Sequence, residues 1–169
     1  MLTDKLKIKK GEIVMTMRHA NGLVERREME NVIVDNASLL MAELMKENSG
    51  VQGIMTLAVG TGDTGWDLQN PPIATASQTA LFNELERKTF NSTTYIDSMG
   101  VPTITRTNKV MYETVFTAAE AVGALVEMGL FGGTGATAPL GGTMVNFHTF
   151  PVWNKSATAT LTISWLLTF

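Results

Sequence analysis

Ala159-Thr160-Leu161-Thr162-Ile163-Ser164-Trp165-Leu166-Leu167-Thr168-Phe169 decides the fold class. Ala159, Leu161, Ile163, Trp165, Leu167 and Phe169 alternate with Thr158, Thr160, Thr162, Ser164, Leu166 and Thr168. Successive side chains of a strand point to opposite faces, so a two-residue period with one apolar side is the pattern of a half-buried β-strand.

Working back from it, Thr143 to Phe150, Leu125 to Leu130, Lys109 to Phe116, Thr89 to Ile96 and Ile54 to Val59 also read as strands. Two helices interrupt them. Ala37 to Glu47 has Leu40 and Leu44 on an apolar side, Asp35 or Asn36 as its cap and Asn48-Ser49-Gly50 as its stop. Gln78 to Arg87 places Leu81 and Leu85 one turn apart, with Phe82 beside them, and predicts a second helix. Further back, Ile13, Met15 and Met17 alternate with Val14 and Thr16. Asn21-Gly22 supplies a tight turn, and Leu23 to Met29 returns with Arg26, Arg27 and Glu28.

The pattern predicts a mainly β protein: a β-sandwich with two short helices and an N-terminal β-hairpin arm, residues 1–33 forming the arm and 34–169 the sandwich. The charged hairpin reads as an arm that orders against a neighbouring subunit. The strand–helix alternation of a parallel α/β sheet is absent, and no repeat of solenoid length occurs.

At 169 residues, with 44% hydrophobic residues and no cysteine, the chain can bury a core without disulfides, and it offers no thiolate to a metal or a substrate. A net charge of −3 is not the basic excess of a nucleic-acid-binding face, so no nucleic-acid partner is expected. No apolar run reaches the roughly 20 residues of a membrane-spanning helix, and Met1-Leu2-Thr3-Asp4-Lys5 does not open a secretory signal. Beyond Thr114 the charged side chains are Glu120, Glu127 and Lys155 alone. Something must cover so neutral a stretch: strands buried on both faces, a solvent face of Thr and Ser, or a neighbouring subunit. This neutrality predicts an oligomer, with a trimer as the first expectation.

Candidate chemistry is thin. Gly60-Thr61-Gly62-Asp63-Thr64-Gly65 fits G-x-G-x-x-G after a strand, but Trp66-Asp67-Leu68-Gln69-Asn70-Pro71-Pro72 cannot open the helix whose N-terminus receives a pyrophosphate, so no nucleotide is expected there. Asp63 and Asp67 lack the spacing of a calcium loop. His19 and His148 form no zinc motif; His19 reads as exposed beside the hairpin, His148 as a structural histidine in an apolar strand. No nucleophile elbow occurs. Among Glu84, Glu86, Glu113, Glu120 and Glu127 no pair has the spacing of a glycosidase couple. Glu84 reads as a surface ion pair with Arg87, and Glu127 as pointing outward or toward Arg87. Trp66 and Trp153 read as loop anchors and Trp165 as core. No catalytic, cofactor or metal residue is expected, and the loops Gly60 to Pro72 and Gly132 to Gly142 are left as candidate contacts with a partner or glycan.

Val34-Asp35-Asn36-Ala37-Ser38-Leu39-Leu40, Leu57-Ala58-Val59-Gly60-Thr61-Gly62, Gln78-Thr79-Ala80-Leu81-Phe82-Asn83-Glu84-Leu85 with Arg87-Lys88, Glu127-Met128-Gly129-Leu130-Phe131 and Leu161-Thr162-Ile163-Ser164-Trp165 together resemble small virion structural proteins of tailed bacteriophages. The G-T-G loop followed by T-x-L-x-x-E-x-x-R is similar to N-terminal adaptor regions of tail fibres and to baseplate proteins, though no fibrous shaft is present. The resemblance implies a non-enzymatic assembly protein, made in the host cytoplasm and carried in the virion. It would decorate and stabilise the capsid by contacts with its own copies and with major capsid or tail proteins. A tail, baseplate or tail-fibre adaptor component is the alternative, and a carbohydrate-binding β-sandwich module the alternative of a different class.

Overall fold

The computed structural model describes residues 10–46 and 50–169. In chain order it contains β1 (Lys10–Arg18), β2 (Val24–Glu30), β3 (Val32–Ile33), α1 (Ala37–Met45), β4 (Ile54–Gly60), β5 (Glu84–Thr89), β6 (Ser92–Ile96), β7 (Pro102–Thr103), β8 (Lys109–Phe116), β9 (Gly123–Gly132), β10 (Thr143–Lys155) and β11 (Thr160–Thr168). Two antiparallel sheets result. One is six-stranded, in the order β2-β1-β11-β8-β6-β7, and the other five-stranded, in the order β3-β10-β9-β4-β5. The chain is mainly β, as its alternation predicts.

β11 carries out its period-2 pattern along its length. Leu161, Ile163, Trp165 and Leu167 are fully buried, while the Thr and Ser residues between them are half-exposed. Opposite it stand Ile13 and Met15 of β1 on one side and Tyr112 and Thr114 of β8 on the other. These inward residues meet Leu57, Val59, Leu125, Met128, Leu130 and Phe150 of the five-stranded sheet in one core. Helix α1 adds Ala37 and Leu40 to that core and leaves Leu39 and Met45 in solvent.

The five-stranded sheet is buried on its other face too. Val34, Ala58, Phe131, Met144 and Phe147 form a second cluster there with Leu81 and Ala136 of the two long loops. The neutral stretch after Thr114 is thus accounted for in two ways within one chain. β9 and the first half of β10 are covered on both sides, and β11 turns Thr and Ser outward.

Four expectations need correction. Gln78 to Arg87 is not a helix: it runs through turns into β5, which pairs antiparallel with β4 from Thr56↔Thr89 to Gly60↔Glu84. The single described helix is therefore α1. Thr89 to Ile96 is broken at Phe90–Asn91 into β5 and β6, which belong to different sheets. The described part of the N-terminal region, residues 10–33, is not set apart from the sandwich. β1 lies between β2 and β11, Ile13, Met15 and Met17 are at most 1% exposed in the main core, and β3 pairs with β10. Residues 1–9 of the expected arm lie outside the described residues. Finally, Asn36 is the N-cap of α1 without a side-chain cap hydrogen bond, and the helix ends at Met45, two residues short of Glu47. The expected Asn48-Ser49 stop lies outside the described residues.

Candidate functional site

The most built polar arrangement centres on Glu127. Strand alternation places it on the outer face of β9, level with Gly60 of β4. Yet it is 0% exposed, because the loops on either side of residue 73 close over it. Its Oε1 accepts the backbone N–H groups of Gly62 (3.1 Å) and Asn83 (2.8 Å), and its Oε2 that of Phe82 (2.9 Å). One carboxylate thereby supplies the acceptors that two non-strand segments lack. Burial pushes its carboxyl above the ordinary value, against the pull of the three N–H donors. Glycine is required beside it. A Cβ on Gly60 would sit 2.5 Å from both the Asn83 carbonyl oxygen and Glu127 Oε1. One on Gly62, where φ is +70°, would strike the Trp66 ring and Val126.

Arg87 is a second knot on the same face. It pairs bidentately with Glu84, Nε to Oε1 at 2.9 Å and Nη2 to Oε2 at 2.6 Å. Its Nη1 donates to the carbonyls of Ala136 (2.9 Å) and Gly141 (2.7 Å), and its guanidinium lies 3.9 Å from the centre of the Phe131 ring. The side chains of this pair are only 3% and 6% exposed. The expected Glu84–Arg87 pair forms, but buried and on a strand rather than on a helix surface. The expected contact of Glu127 with Arg87 is replaced by Glu127's three backbone donors. The Gly132 to Gly142 loop is fastened here by Arg87 and by the Thr56 hydroxyl, which donates to the Ala136 carbonyl at 2.8 Å.

These two knots fix what the Gly60 loop can do. The Gly62 N–H, which a phosphate would need, is committed to Glu127. After it the chain makes an Asp63 turn, in which Asp63 Oδ1 accepts the Gly65 N–H, and then an Asp67 turn, in which Asp67 accepts from Gln69 and Asn70. Asp63 and Asp67 are both exposed and engaged in these local turns. Trp66 packs edge-on against Phe82, ring centres 4.6 Å apart, and so serves as the expected loop anchor.

On the opposite flank a polar cluster links the two sheets. Glu25 of β2 accepts from the Trp153 indole of β10 at 2.8 Å and lies 2.7 Å from His19 Nε2. The Trp153 and His19 hydrogen bonds hold its carboxyl below the usual range. Arg27 stacks over the Trp153 ring at 4.7 Å and donates to the carbonyls of Pro151 (2.6 Å) and Val152 (3.3 Å). Trp153 is thus an anchor of sheet to sheet, and Trp165 is core.

His148 stands beside this cluster, half-buried and stacked on Phe150. Burial pushes its imidazole down to about 4, opposed by a hydrogen bond to the Glu30 backbone, so at neutral pH the ring is uncharged. It lines a cavity of about 490 Å³ bounded by Glu30 and Val32, by the 69–74 loop and by Thr149 to Pro151.

Elsewhere, Lys88 pairs with Glu120 at 2.6 Å. Lys155, only 2% exposed, donates to the Thr117 carbonyl at 2.8 Å. Glu113 of β8 accepts from the Ser164 hydroxyl at 3.3 Å. Among the described residues no three His, Asp or Glu side chains group as a metal site, and no helix is long and apolar enough to cross a membrane. The closing of the loops over Glu127 had one sequence signal, an acid in an otherwise apolar strand. The His148 cavity had only the prolines Pro71 and Pro151 at its walls.

Three of the five segments named for the resemblance meet in space, while Leu161 to Trp165 lies in the six-stranded sheet. Leu57 to Gly62, Gln78 to Leu85 and Glu127 to Phe131 converge on the Glu127 carboxylate, and Asp35 donates its N–H to Ala76 at 2.8 Å in the adjoining loop. Against known proteins, no family model matches the chain and no curated protein matches it.

Proposed function

We propose that the chain is a structural virion protein of a tailed bacteriophage, in the first place a capsid decoration protein that stabilises the shell through contacts with its own copies and with the major capsid protein. The observation that carries this reading is the outer face of the six-stranded sheet. Across it run Thr16, Thr162 and Val115 in one row, Val14, Ser164 and Glu113 in the next, and Glu12, Leu166 and Met111 in a third. That face is half-exposed and mixes apolar and hydroxyl side chains, with Glu113 in its middle row held by the Ser164 hydroxyl and Glu12 at one end. Such a surface suits broad subunit contact better than substrate chemistry. Of the acids weighed for catalysis, Glu84, Glu113, Glu120 and Glu127 are engaged in holding loops or strands.

A tail, baseplate or tail-fibre adaptor position is the second reading. It is supported by the G-T-G loop and the T-x-L-x-x-E-x-x-R segment acting together around Glu127 and Arg87. A carbohydrate-binding module is the reading of a different class.

Immunogold labelling of purified phage particles tests the proposal. Gold over the capsid is the expected result, and gold confined to the tail would select the second reading. Chain found only in the particle-free supernatant would overturn both. Leu166→Glu with Met111→Glu should abolish incorporation while leaving the thermal transition in place.

A further inference from the structure

We infer that the groove on both sides of His148 is a binding site for a neutral oligosaccharide. The proposal goes beyond the assembly reading and does not depend on it.

The groove is made where β10 departs from regular pairing. Between Thr149 and Trp153 its register against β9 shifts, so Phe150, Pro151 and Val152 bulge away from the ladder. Bulges of this kind re-aim side chains and occur next to binding sites. The cavity of about 490 Å³ on one side of His148 is bounded by the 69–74 loop. A second of about 490 Å³ lies on the other side, toward Arg27 to Met29, and shares His148 to Pro151 with the first. Each falls in the size range of small-molecule pockets, and together they describe an elongated site.

Its wall is held in place. The Thr149 hydroxyl donates to the Pro72 carbonyl at 2.6 Å, the Val152 N–H to the Leu68 carbonyl at 2.7 Å, and Asp67 fixes Gln69 and Asn70. Arg27 secures the far side through the Pro151 and Val152 carbonyls. A loop tied at both ends does not lose much entropy when a ligand arrives.

The lining selects the ligand class. Glu28, paired with Arg26, and Glu30 stand on the β2 side, and the guanidinium of Arg27, the one cation among the lining residues, is committed to two carbonyls and the Trp153 ring, so the lining offers an anionic ligand acids and no uncommitted cation. The polar groups are an amide pair at Gln69 and Asn70, carboxylates and an uncharged imidazole, a set that both donates to and accepts from hydroxyls. Pro71, Ile73 and Pro151 supply apolar surface for the C–H face of a sugar ring. A ligand with hydroxyls on its rim, apolar ring faces and no charge is a neutral saccharide, and the two cavities call for more than one ring.

The test is NMR titration of the isotopically labelled full chain with maltotriose, cellotriose, mannotriose and galactotriose in turn, with sialyllactose as the anionic probe. At least one neutral trisaccharide should shift amide resonances of the 69–74 loop and of His148 to Phe150, with a Kd of about 1 mM or tighter. Gln69→Ala, an exposed change that leaves the fold alone, should weaken that binding at least tenfold, and His148→Gln likewise. The proposal is overturned if none of the four shifts these resonances, if both variants bind as the parent does, or if sialyllactose binds more tightly than every neutral probe. None of these outcomes bears on particle incorporation, so the groove and the assembly reading fail separately.

Discussion

The two sheets solve the same burial problem differently. The six-stranded sheet has one dry face and one wet face, and β11 shows it residue by residue: apolar inward, Thr or Ser outward. The five-stranded sheet is dry on both faces at its centre. β9 is buried from Leu125 to Gly132, and its second face is covered by loops with no regular structure. A strand with a wet face needs only alternation. A sheet whose second face is covered by loops needs acceptors for the loop backbone as well, and Glu127 and the carbonyls gathered by Arg87 belong to that extra machinery. The difference teaches that Glu84, Arg87 and Glu127, which look chemically promising in the sequence, are consumed in covering one sheet.

If the outer face of the five-stranded sheet is a true core, Phe131→Ala there should cost about 3–5 kcal/mol in urea unfolding, as much as a truncation between the sheets. A loss near 1 kcal/mol would mean that the loops are only a loose cover. The next largest effect separates the clamp from mere packing. Glu127→Ala leaves three backbone donors without their acceptor and should cost about 2–4 kcal/mol, with faster hydrogen exchange at Gly62, Phe82 and Asn83 and unchanged protection in β11.

A pH experiment sharpens the comparison at the sheets' shared flank. The His148 imidazole is held at about 4 in the fold against an ordinary value of 6.5, so the unfolded chain binds the proton first. Its contribution is whole above pH 6.5 and is lost as pH falls toward about 4, a decline of roughly 2–3 kcal/mol. His148→Gln should flatten that part of the stability curve. Glu120, held down to about 2 chiefly by its hydrogen bond with Lys88, begins to lose its contribution only as pH falls below the ordinary carboxylate value of 4.5. The smallest effect is expected on the wet face. Thr162→Glu should move stability by no more than about 0.5 kcal/mol, so any loss of particle incorporation in that variant reports on contact rather than folding.

Legibility in the sequence follows the same division. β8 and β11 were readable because one face is solvated and the period survives in the residues; the predicted bounds of β8, Lys109 to Phe116, match the strand. The Asn21-Gly22 turn was readable because Gly22 takes a positive φ of 86°. Gln78 to Arg87 misled because Glu, Leu, Arg and Lys are good helix formers and Leu81 and Leu85 happen to lie four apart. In the fold Leu81 is buried while Leu85 is 40% exposed, and the Phe82 and Asn83 amides are taken by an acid distant in the chain. No local pattern can announce such an acceptor. The hairpin misled in the other direction. Arg26, Glu28 and Glu30 advertise a solvated arm, but they sit on the outer face of β2, while β1 beside it carries Ile13, Met15 and Met17 into the core. The His148 groove depends on a bulge and a returning loop, which periodicity does not encode.

The register that sets Ile13 opposite Trp165 also bears on how this protein is made. β1 is made before the nine strands β2 to β10 and its neighbour β11 only after them, so the centre of the six-stranded sheet cannot close until all of them have been synthesised. Until then Ile13, Met15 and Met17 have no covering partner from β11, and the nascent chain presents a sticky strand throughout that span. Closure of this sheet should be slow in the manner of non-local β topologies, and dependent on chaperone protection when expression is fast.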